Sequence, residues 1–171
     1  MHIVINQLDV ILKIIRLQLN RAFLISGILI TATLLSATTV ARAKSMQAAD
    51  TTEIRITIQQ FHEAMSAADS AAVANILADD VRIVEGGNVE TKMQYLSHHF
   101  HSDVAYLSAM ERDPQTMAIS ESGGMAWVTS VTRLHGTYRD REIDSKSAES
   151  LVLRKSEFGW KIVAIHWSSG R

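Results

Sequence analysis

The sequence predicts an α+β fold, a cone-shaped, curved antiparallel sheet wrapped over N-terminal helices. Two observations lead to this prediction. Apolar residues recur at helical spacing in the first part of the chain, and four strand-like runs with short links follow Pro114, the only proline. Helices followed by a meander of strands are typical of α+β domains. A sheet of this length curls over the helices and leaves a pocket with an open mouth.

Length, charge and cysteine content limit the possible functions. The chain has 171 residues, enough for one domain with a core of its own. Its formal net charge of −1 provides no basic field for nucleic acid, so we expect no nucleic-acid partner. The absence of cysteine excludes disulfides, thiolate metal sites and a cysteine nucleophile.

The N-terminal region has the pattern of a secretory signal peptide. Residues 22–41 carry no charge and follow Arg21, and Ala41 and Ala43 form an A-x-A cleavage site before Lys44. We therefore expect cleavage after Ala43 and a periplasmic or secreted protein that has no membrane contact after cleavage. An uncleaved membrane anchor is the alternative, because about 20 apolar residues can span a bilayer.

This pattern divides the chain into three parts. Residues 1–43 are the signal peptide with an extended n-region, residues 44–50 are a linker, and residues 51–171 are the folded domain.

Three helices are predicted within the domain. The first covers residues 51–67, where four apolar residues recur at helical spacing: Ile54, Ile58, Phe61 and Met65. The second begins after Asp69, a favourable N-cap residue. The third lies in "TKMQYLSHHF", where Met93, Leu96 and Phe100 share one face.

Strands account for the rest of the domain. Val81, Ile83 and Glu85 alternate on one face of a strand that ends at a Gly-Gly-Asn turn. After Pro114 the runs "QTMAISES", "GGMAWVTSVTRLHGTYRD", "DSKSAESLVLRKS" and "GWKIVAIHWSS" predict an antiparallel meander.

The last strand carries the principal candidate for catalysis. Strict alternation places His166 on the face of Trp160 and Ile162, and Trp167 on the opposite face. We expect His166 to point into the cone, where a titratable ring is a candidate acid or base. Trp167 would then be an interface anchor on the outer face.

Three charged residues interrupt otherwise apolar strand faces. They are Glu85, Arg133 and Glu149. One interpretation is a structural salt bridge between Arg133 and Glu149 on neighbouring strands. The other is that Arg133 and His166 bind an anionic or carbonyl-bearing ligand, with Glu85 at the mouth, because arginine suits carboxylate geometry. Trp127 shares the strand face of Arg133 and is included among the candidate ligand-binding residues.

Histidines are dense near the third helix, where His98, His99 and His101 lie within four residues. The spacing does not match a metal-binding motif such as H-E-x-x-H, so we predict no metal and no cofactor. His99 and Asp103 share a helix face, and such a carboxylate would orient the ring and raise its pKa. A hydrogen bond that ends the helix is an equal alternative for this pair.

The order of elements, the segment "HHFHSDVAYLSAMER" and the closing "WKIVAIHWSSG" resemble the nuclear transport factor 2-like superfamily, nearest to its SnoaL-like, ketosteroid-isomerase-like bacterial members. The closing segment "WKIVAIHWSSG" is also similar to the end of the association domain of calcium/calmodulin-dependent kinase II, and Arg133 matches an arginine of that domain. The resemblance implies a cone-shaped barrel that dimerises through its open sheet face. Leu151 stands where that kinase domain has a pocket arginine, and the acid and tyrosine trio of the isomerases has no clear counterpart.

Three functions fit these features. The first is an exported domain that binds a small molecule in a conical apolar pocket with a few polar groups. The second is a cofactor-free isomerase, dehydratase or hydrolase that uses His166 as general acid or base. The third is a dimeric assembly module with a vestigial pocket.

Overall fold

The structure is a computed structural model that describes residues 12–13, 16–17 and 42–170. The chain divides into two compact units, Met1–Met46 and Gln47–Arg171. The described residues of the first unit are helical.

The predicted signal peptide lies mostly outside the described residues, so its cleavage stays a prediction. Where the structure does describe the chain, it contains no helix long and apolar enough to cross a membrane. Residues 44–50, expected to be a linker, are helical.

Two helices open the second unit. Helix α1 covers 47–66 of this unit and buries the four apolar residues that the spacing identified. Helix α2 covers Ser70–Ile76, and the Asp69 side chain accepts a hydrogen bond of 2.9 Å from the Ala72 backbone N–H. The predicted N-cap is therefore confirmed, because its carboxylate satisfies a free N–H of the first turn.

A first hairpin and a third helical region follow. The hairpin strands are β1, Leu77–Glu85, and β2, Asn88–Thr91. The helical region consists of α3, a π-helical turn and α4, which cover Lys92–Gln94, Tyr95–His99 and Phe100–Ser108.

The remaining chain forms five strands. They are β3, Met110–Arg112; β4, Thr116–Ser122; β5, Met125–Tyr138; β6, Arg141–Ser156; and β7, Gly159–Gly170. The four strands predicted after Pro114 are confirmed as β4 to β7 and pair antiparallel to one another.

All seven strands belong to one curved, open sheet. Its order is β2-β1-β7-β6-β5-β3, and β4 also pairs with β5. The expected purely antiparallel sheet is in fact mixed, since β1 and β7 are parallel. The reason is topological: the helical region carries the chain to the far edge of the sheet, and the meander returns β7 beside β1 in the same direction.

The hydrophobic core lies between the helices and the inner face of the sheet. The core side chains buried to 2% exposure or less include Phe61, Tyr95, Phe100, Leu151, Leu153, Ile162 and Ile165. Burial of such side chains contributes roughly 1.5–3 kcal/mol each, so this layer holds the cone together.

Strand β7 contains one extra residue relative to its neighbour. Val152 pairs with Ala164 and Leu153 pairs with Ile162, which leaves Val163 without a partner on β6. Such a β-bulge shifts the alternation by one residue. Ile162 faces inward before the bulge, and Ile165 and Trp167 face inward after it.

The π-helical turn changes which residues of the third helical region are buried. Met93 was expected in the core with Phe100, but 77% of Met93 is exposed, and Tyr95 is buried instead. The wider turn at Tyr95–His99 inserts a residue relative to α-helical spacing, which moves the buried face.

Gly136 allows a close approach between β5 and the end of α4. A Cβ atom at this position would lie 2.3 Å from the backbone oxygen of Ala109. We predict that Gly136→Ala lowers the free energy of unfolding by roughly 1–3 kcal/mol, because backbone must move to relieve the overlap. Urea denaturation measures this change.

Gly170→Ala is the matched control, because a Cβ there meets nothing within 4 Å. Equal stability of the two variants would contradict the proposed backbone contact.

Candidate functional site

The cone encloses a cavity of about 170 Å³ between α1, α4 and the inner sheet face. Its apolar wall consists of Phe61, Met65, Leu107, Leu134 and Trp167. Its polar wall includes His62, Glu85, Asp103, Tyr106, Arg112, Asp113, Gln115, Thr132, Ser147 and Glu149.

Glu149 on β6 is the most buried charged group of this wall, with 9% of the residue exposed. His62 Nε2 lies 3.0 Å from Glu149 Oε1 and 3.2 Å from Oε2, and the Trp167 indole N–H donates to Oε2 at 2.9 Å. Ser130 Oγ lies 3.5 Å from Oε1 and accepts a 2.6 Å bond from the Gln115 amide. The carboxylate therefore has donors from α1, β5 and β7.

These donors keep Glu149 ionised. Burial opposes the charged form, but the hydrogen bond and charge of His62, together with the bonds from Trp167 and Ser130, hold the pKa of Glu149 below its usual value. A buried carboxylate with several donors is a group that can orient a neighbouring ring or a ligand.

His62 is the site residue that the sequence analysis missed. It follows the buried Phe61 on α1, and one quarter of its side chain is exposed. His62 comes four residues after Ile58 and therefore lies beside the apolar stripe of the helix. This spacing could have identified His62 as a candidate from the sequence. Its partner on β6 lies 87 positions away and could not be read from spacing.

A second acidic group lies at the cavity wall. One carboxylate oxygen of Asp103, Oδ2, is buried without a hydrogen-bond partner among the described residues. Burial raises the pKa of Asp103, and the Tyr95 hydroxyl and His99 offset this only in part. At the exposed rim, partial burial and then the charge of Asp103 raise the pKa of Glu85.

The expected pair of His99 and Asp103 does not form. His99 Nδ1 instead lies 2.6 Å from Glu90 Oε2, and this hydrogen bond raises the pKa of His99. The cause is strand β2, which brings Glu90 beside the π-helical turn. Within the described part of the chain, no cluster of three or more histidine and acidic side chains is arranged to hold a metal ion.

Arg133 also has a partner other than the expected one. Its guanidinium donates two hydrogen bonds, of 2.7 and 2.6 Å, to Asp144, and both residues are exposed. Glu149 cannot reach Arg133 because β5 pairs Arg133 with Lys146 and pairs Ser130 with Glu149, which puts the two charges on opposite faces.

The prediction that His166 points into the cone is wrong. The bulge at Val163 turns His166 to the exposed outer face, where it pairs with Ser150 and Val84. Trp167 takes the inward position that His166 was expected to hold.

The seven predicted site residues therefore divide into three groups. Those on the cavity wall or rim are Glu85, Asp103 and Glu149. Those on the outer sheet face are Trp127, Arg133 and His166. His99 is paired with Glu90 and is not part of the cavity wall.

Comparisons with known proteins add to this geometry. Residues 54–170 match the SnoaL-like domain. A ketosteroid isomerase-like protein from Shewanella frigidimarina is 39% identical with a TM-score of 0.63, over 66% of this chain and 91% of that one. No match was found among the curated proteins.

More distant structures share the fold alone. A dehydratase-like protein of the NTF2-like family from Streptomyces avermitilis is 19% identical with a TM-score of 0.55, over 72% of this chain and 97% of that one. The CaMKII hub of S. rosetta is 19% identical with a TM-score of 0.61, over 70% of this chain and 95% of that one.

Removal of Glu149 should destabilise the fold. We predict that Glu149→Ala lowers the free energy of unfolding by roughly 2 kcal/mol at pH 7, because it leaves the partly buried donors of Trp167 and His62 without their acceptor. Chemical denaturation with circular dichroism measures the change.

Glu149→Gln separates the charge from the hydrogen bonds. Because the folded pKa of Glu149 is depressed, the stability that its charge contributes is present above the unfolded pKa of about 4.3 and is lost as the pH falls through the folded pKa. The stability difference between wild type and Glu149→Gln should therefore shrink below about pH 4. A difference independent of pH would contradict an ionised Glu149.

Proposed function

The chain belongs to the SnoaL-like family of the nuclear transport factor 2-like superfamily, and on that premise we propose that it is an exported protein that binds a small, largely apolar ligand in its conical cavity. The supporting observation is the cavity itself, which combines an apolar wall with a few converging polar groups. This combination is typical of small-molecule sites.

The size of the cavity favours a ligand built on one ring. Its volume of about 170 Å³ is close to that of an apolar cavity of about 150 Å³ that holds benzene. The open mouth allows a substituent to extend toward solvent.

The charges of the wall favour a neutral ligand over an anion. The acidic residues are Glu85, Asp103, Asp113 and Glu149, and the arginine is Arg112. An anion entering this wall would meet repulsion from the ionised Glu149. Arg133, which was expected to bind an anion, is engaged by Asp144 on the outer face.

We also propose that two copies associate through the open sheet face. Trp127 is 56% exposed and Val131 is 51% exposed on that face of β5. Exposed large apolar side chains on an uncovered sheet are characteristic of association surfaces. Trp127 thus takes the anchor role that the sequence analysis gave to Trp167.

Two alternative functions each have a supporting observation of their own. An assembly module with a vestigial pocket is supported by the same open face. A cofactor-free enzyme is supported by the isomerase-like and dehydratase-like names of two similar structures, although His166, the residue first expected to act, lies outside the cavity.

Ligand binding can be followed through the indole N–H of Trp167. We predict that acetophenone, a neutral single-ring ketone, shifts the Trp167 indole resonance in a saturable way, because this group lies at the cavity wall and bonds Glu149. Titration by ¹H–¹⁵N NMR of the purified full chain measures the effect.

Trp127 is the internal control, because its indole lies on the outer face. Assignment uses the Trp→Phe variants. Equal shifts at Trp127 and Trp167, or no saturable shift, would contradict binding in the cone.

Dimer formation has its own test. We predict that Trp127→Asp converts the dimer to a monomer in sedimentation velocity, because a charge in a desolvated interface without a partner costs several kcal/mol. Phe158→Asp is the control, since Phe158 is an aromatic at the β6–β7 turn that is even more exposed than Trp127. Persistence of the dimer in Trp127→Asp would contradict this interface.

A further inference from the structure

We propose that the domain carries a second binding site, a basic groove outside the cone that takes a small aromatic carboxylate. The groove has a volume of about 330 Å³ and lies between α2, the start of β1, α3 and the β6–β7 turn. It shares no lining residue with the conical cavity. The inference therefore goes beyond the proposed function and does not depend on the ligand in the cone.

Three basic side chains from three elements line the groove. They are Lys92 on α3, Arg154 on β6 and Lys161 on β7. The Lys92 ammonium donates to the backbone oxygen of Leu77 at 3.1 Å, and the Lys161 ammonium donates to the backbone oxygen of Asn75. Because these oxygens belong to residues only two positions apart, both ammonium groups lie beside the same short segment, where α2 leads into β1.

Strand pairing brings two of these charges together. Arg154 and Lys161 are directly opposite each other on neighbouring antiparallel strands, so their side chains project from the same face of the sheet. Like charges in directly opposite positions destabilise a sheet. An anion bound between the two side chains would offset this repulsion, and the pairing therefore gives a second reason to place an anion in the groove.

Acidic neighbours neutralise the basic side chains only in part. Asp80 accepts hydrogen bonds of 3.1 and 2.9 Å from Arg154. Asp79 accepts one of 2.9 Å from Lys92. Among the described residues Lys161 has no carboxylate partner, because its ammonium bonds an uncharged carbonyl. Three positive charges thus face two negative ones, and the excess of one fits a monoanion such as a carboxylate better than a dianion such as a phosphate monoester.

The basic groups keep free donors for such an anion. An ammonium has three N–H donors and a guanidinium has five. Lys161 uses one of its donors for the backbone oxygen of Asn75, and Arg154 uses two of its own for Asp80. These head groups are already held in place by protein partners, so an anion would bind them with a smaller loss of side-chain entropy.

Phe158 provides an apolar contact for the rest of the ligand. It lies at the β6–β7 turn, where 81% of the residue is exposed, and it lines the groove together with Leu77 and Ala78. Aromatic side chains favour offset-stacked or edge-to-face contacts with other rings. A ring beside Phe158 with its carboxylate at the lysines would use both parts of the groove, which favours an aromatic carboxylate over an inorganic anion.

The test is a titration of the purified full chain with phenylacetate, followed through backbone amide resonances in ¹H–¹⁵N NMR. We expect saturable shifts in residues 74–78 and 158–161, and weaker binding at higher salt because salt screens exposed charges. Lys161→Gln should weaken binding about tenfold, because it removes a charged donor while its amide can still donate to Asn75. Unchanged affinity in this variant would overturn the proposal.

Lys146→Gln is the matched control, because Lys146 is an exposed lysine of β6 that does not line the groove. Its affinity for phenylacetate should equal that of wild type. Lys92→Gln repeats the test at the other lysine and replaces Lys161→Gln if circular dichroism shows that variant to be unfolded. A loss of affinity in Lys146→Gln as large as in the groove variants would contradict a defined site.

Two further probes define the class of ligand. Phenylacetamide has the same ring without the charge and should bind at least tenfold more weakly than phenylacetate. Equal binding of the two would overturn the role of the basic side chains. Inorganic phosphate should also bind more weakly, because it has no ring to contact Phe158. If phosphate gives the same shifts with the same affinity, the groove holds an adventitious ion only and the proposal fails.

The Trp167 indole resonance reports on the cone in the same titration. Groove shifts that saturate independently of any change at Trp167 support a second site. Shifts confined to the Trp167 indole and the cavity wall would mean that phenylacetate enters the cone, which overturns the groove and leaves the proposed ligand-binding function intact. Conversely, groove shifts by phenylacetate without any effect of acetophenone on Trp167 would contradict only the proposed function.

Discussion

The unpaired residue Val163 in β7 is the constraint on which the arrangement inside the cone depends. Because it shifts the alternation by one position, Trp160 and Ile162 before it and Ile165 and Trp167 after it all face inward. Without the extra residue, a strand with period two would present the opposite face after Ile162. The bulge therefore brings an indole N–H, rather than an imidazole, to the carboxylate of Glu149.

A buried carboxylate in an apolar cone is stable only because its donors come from different elements. His62 comes from α1, Ser130 from β5 and Trp167 from β7, and Glu149 itself lies on β6. An isolated charge in this place would cost several kcal/mol and would take up a proton instead. The network therefore ties the first helix to the centre of the sheet while it keeps a negative charge at the cavity wall.

The two faces of the sheet have separate chemistry. The inner face carries the acidic cavity, in which Asp103 and Glu149 experience opposite effects: burial raises the pKa of Asp103, whereas hydrogen-bond donors lower that of Glu149. The outer face carries Trp127 and the solvent-exposed ion pair between Arg133 and Asp144. Such a division would allow the proposed ligand binding inside and the proposed association outside to be altered independently.

Local sequence patterns are enough to predict the fold class, the N-cap at Asp69, the helical stripe of α1 and the four strands after Pro114. These features follow from local periodicity and capping, which depend on residues close in the chain. The outward orientation of His166 and the contact of His62 with Glu149 depend on long-range packing, because a bulge and a contact across 87 positions leave no periodic signal. Strand register also decided that Arg133 bonds Asp144, since pairing places it on the face opposite Glu149.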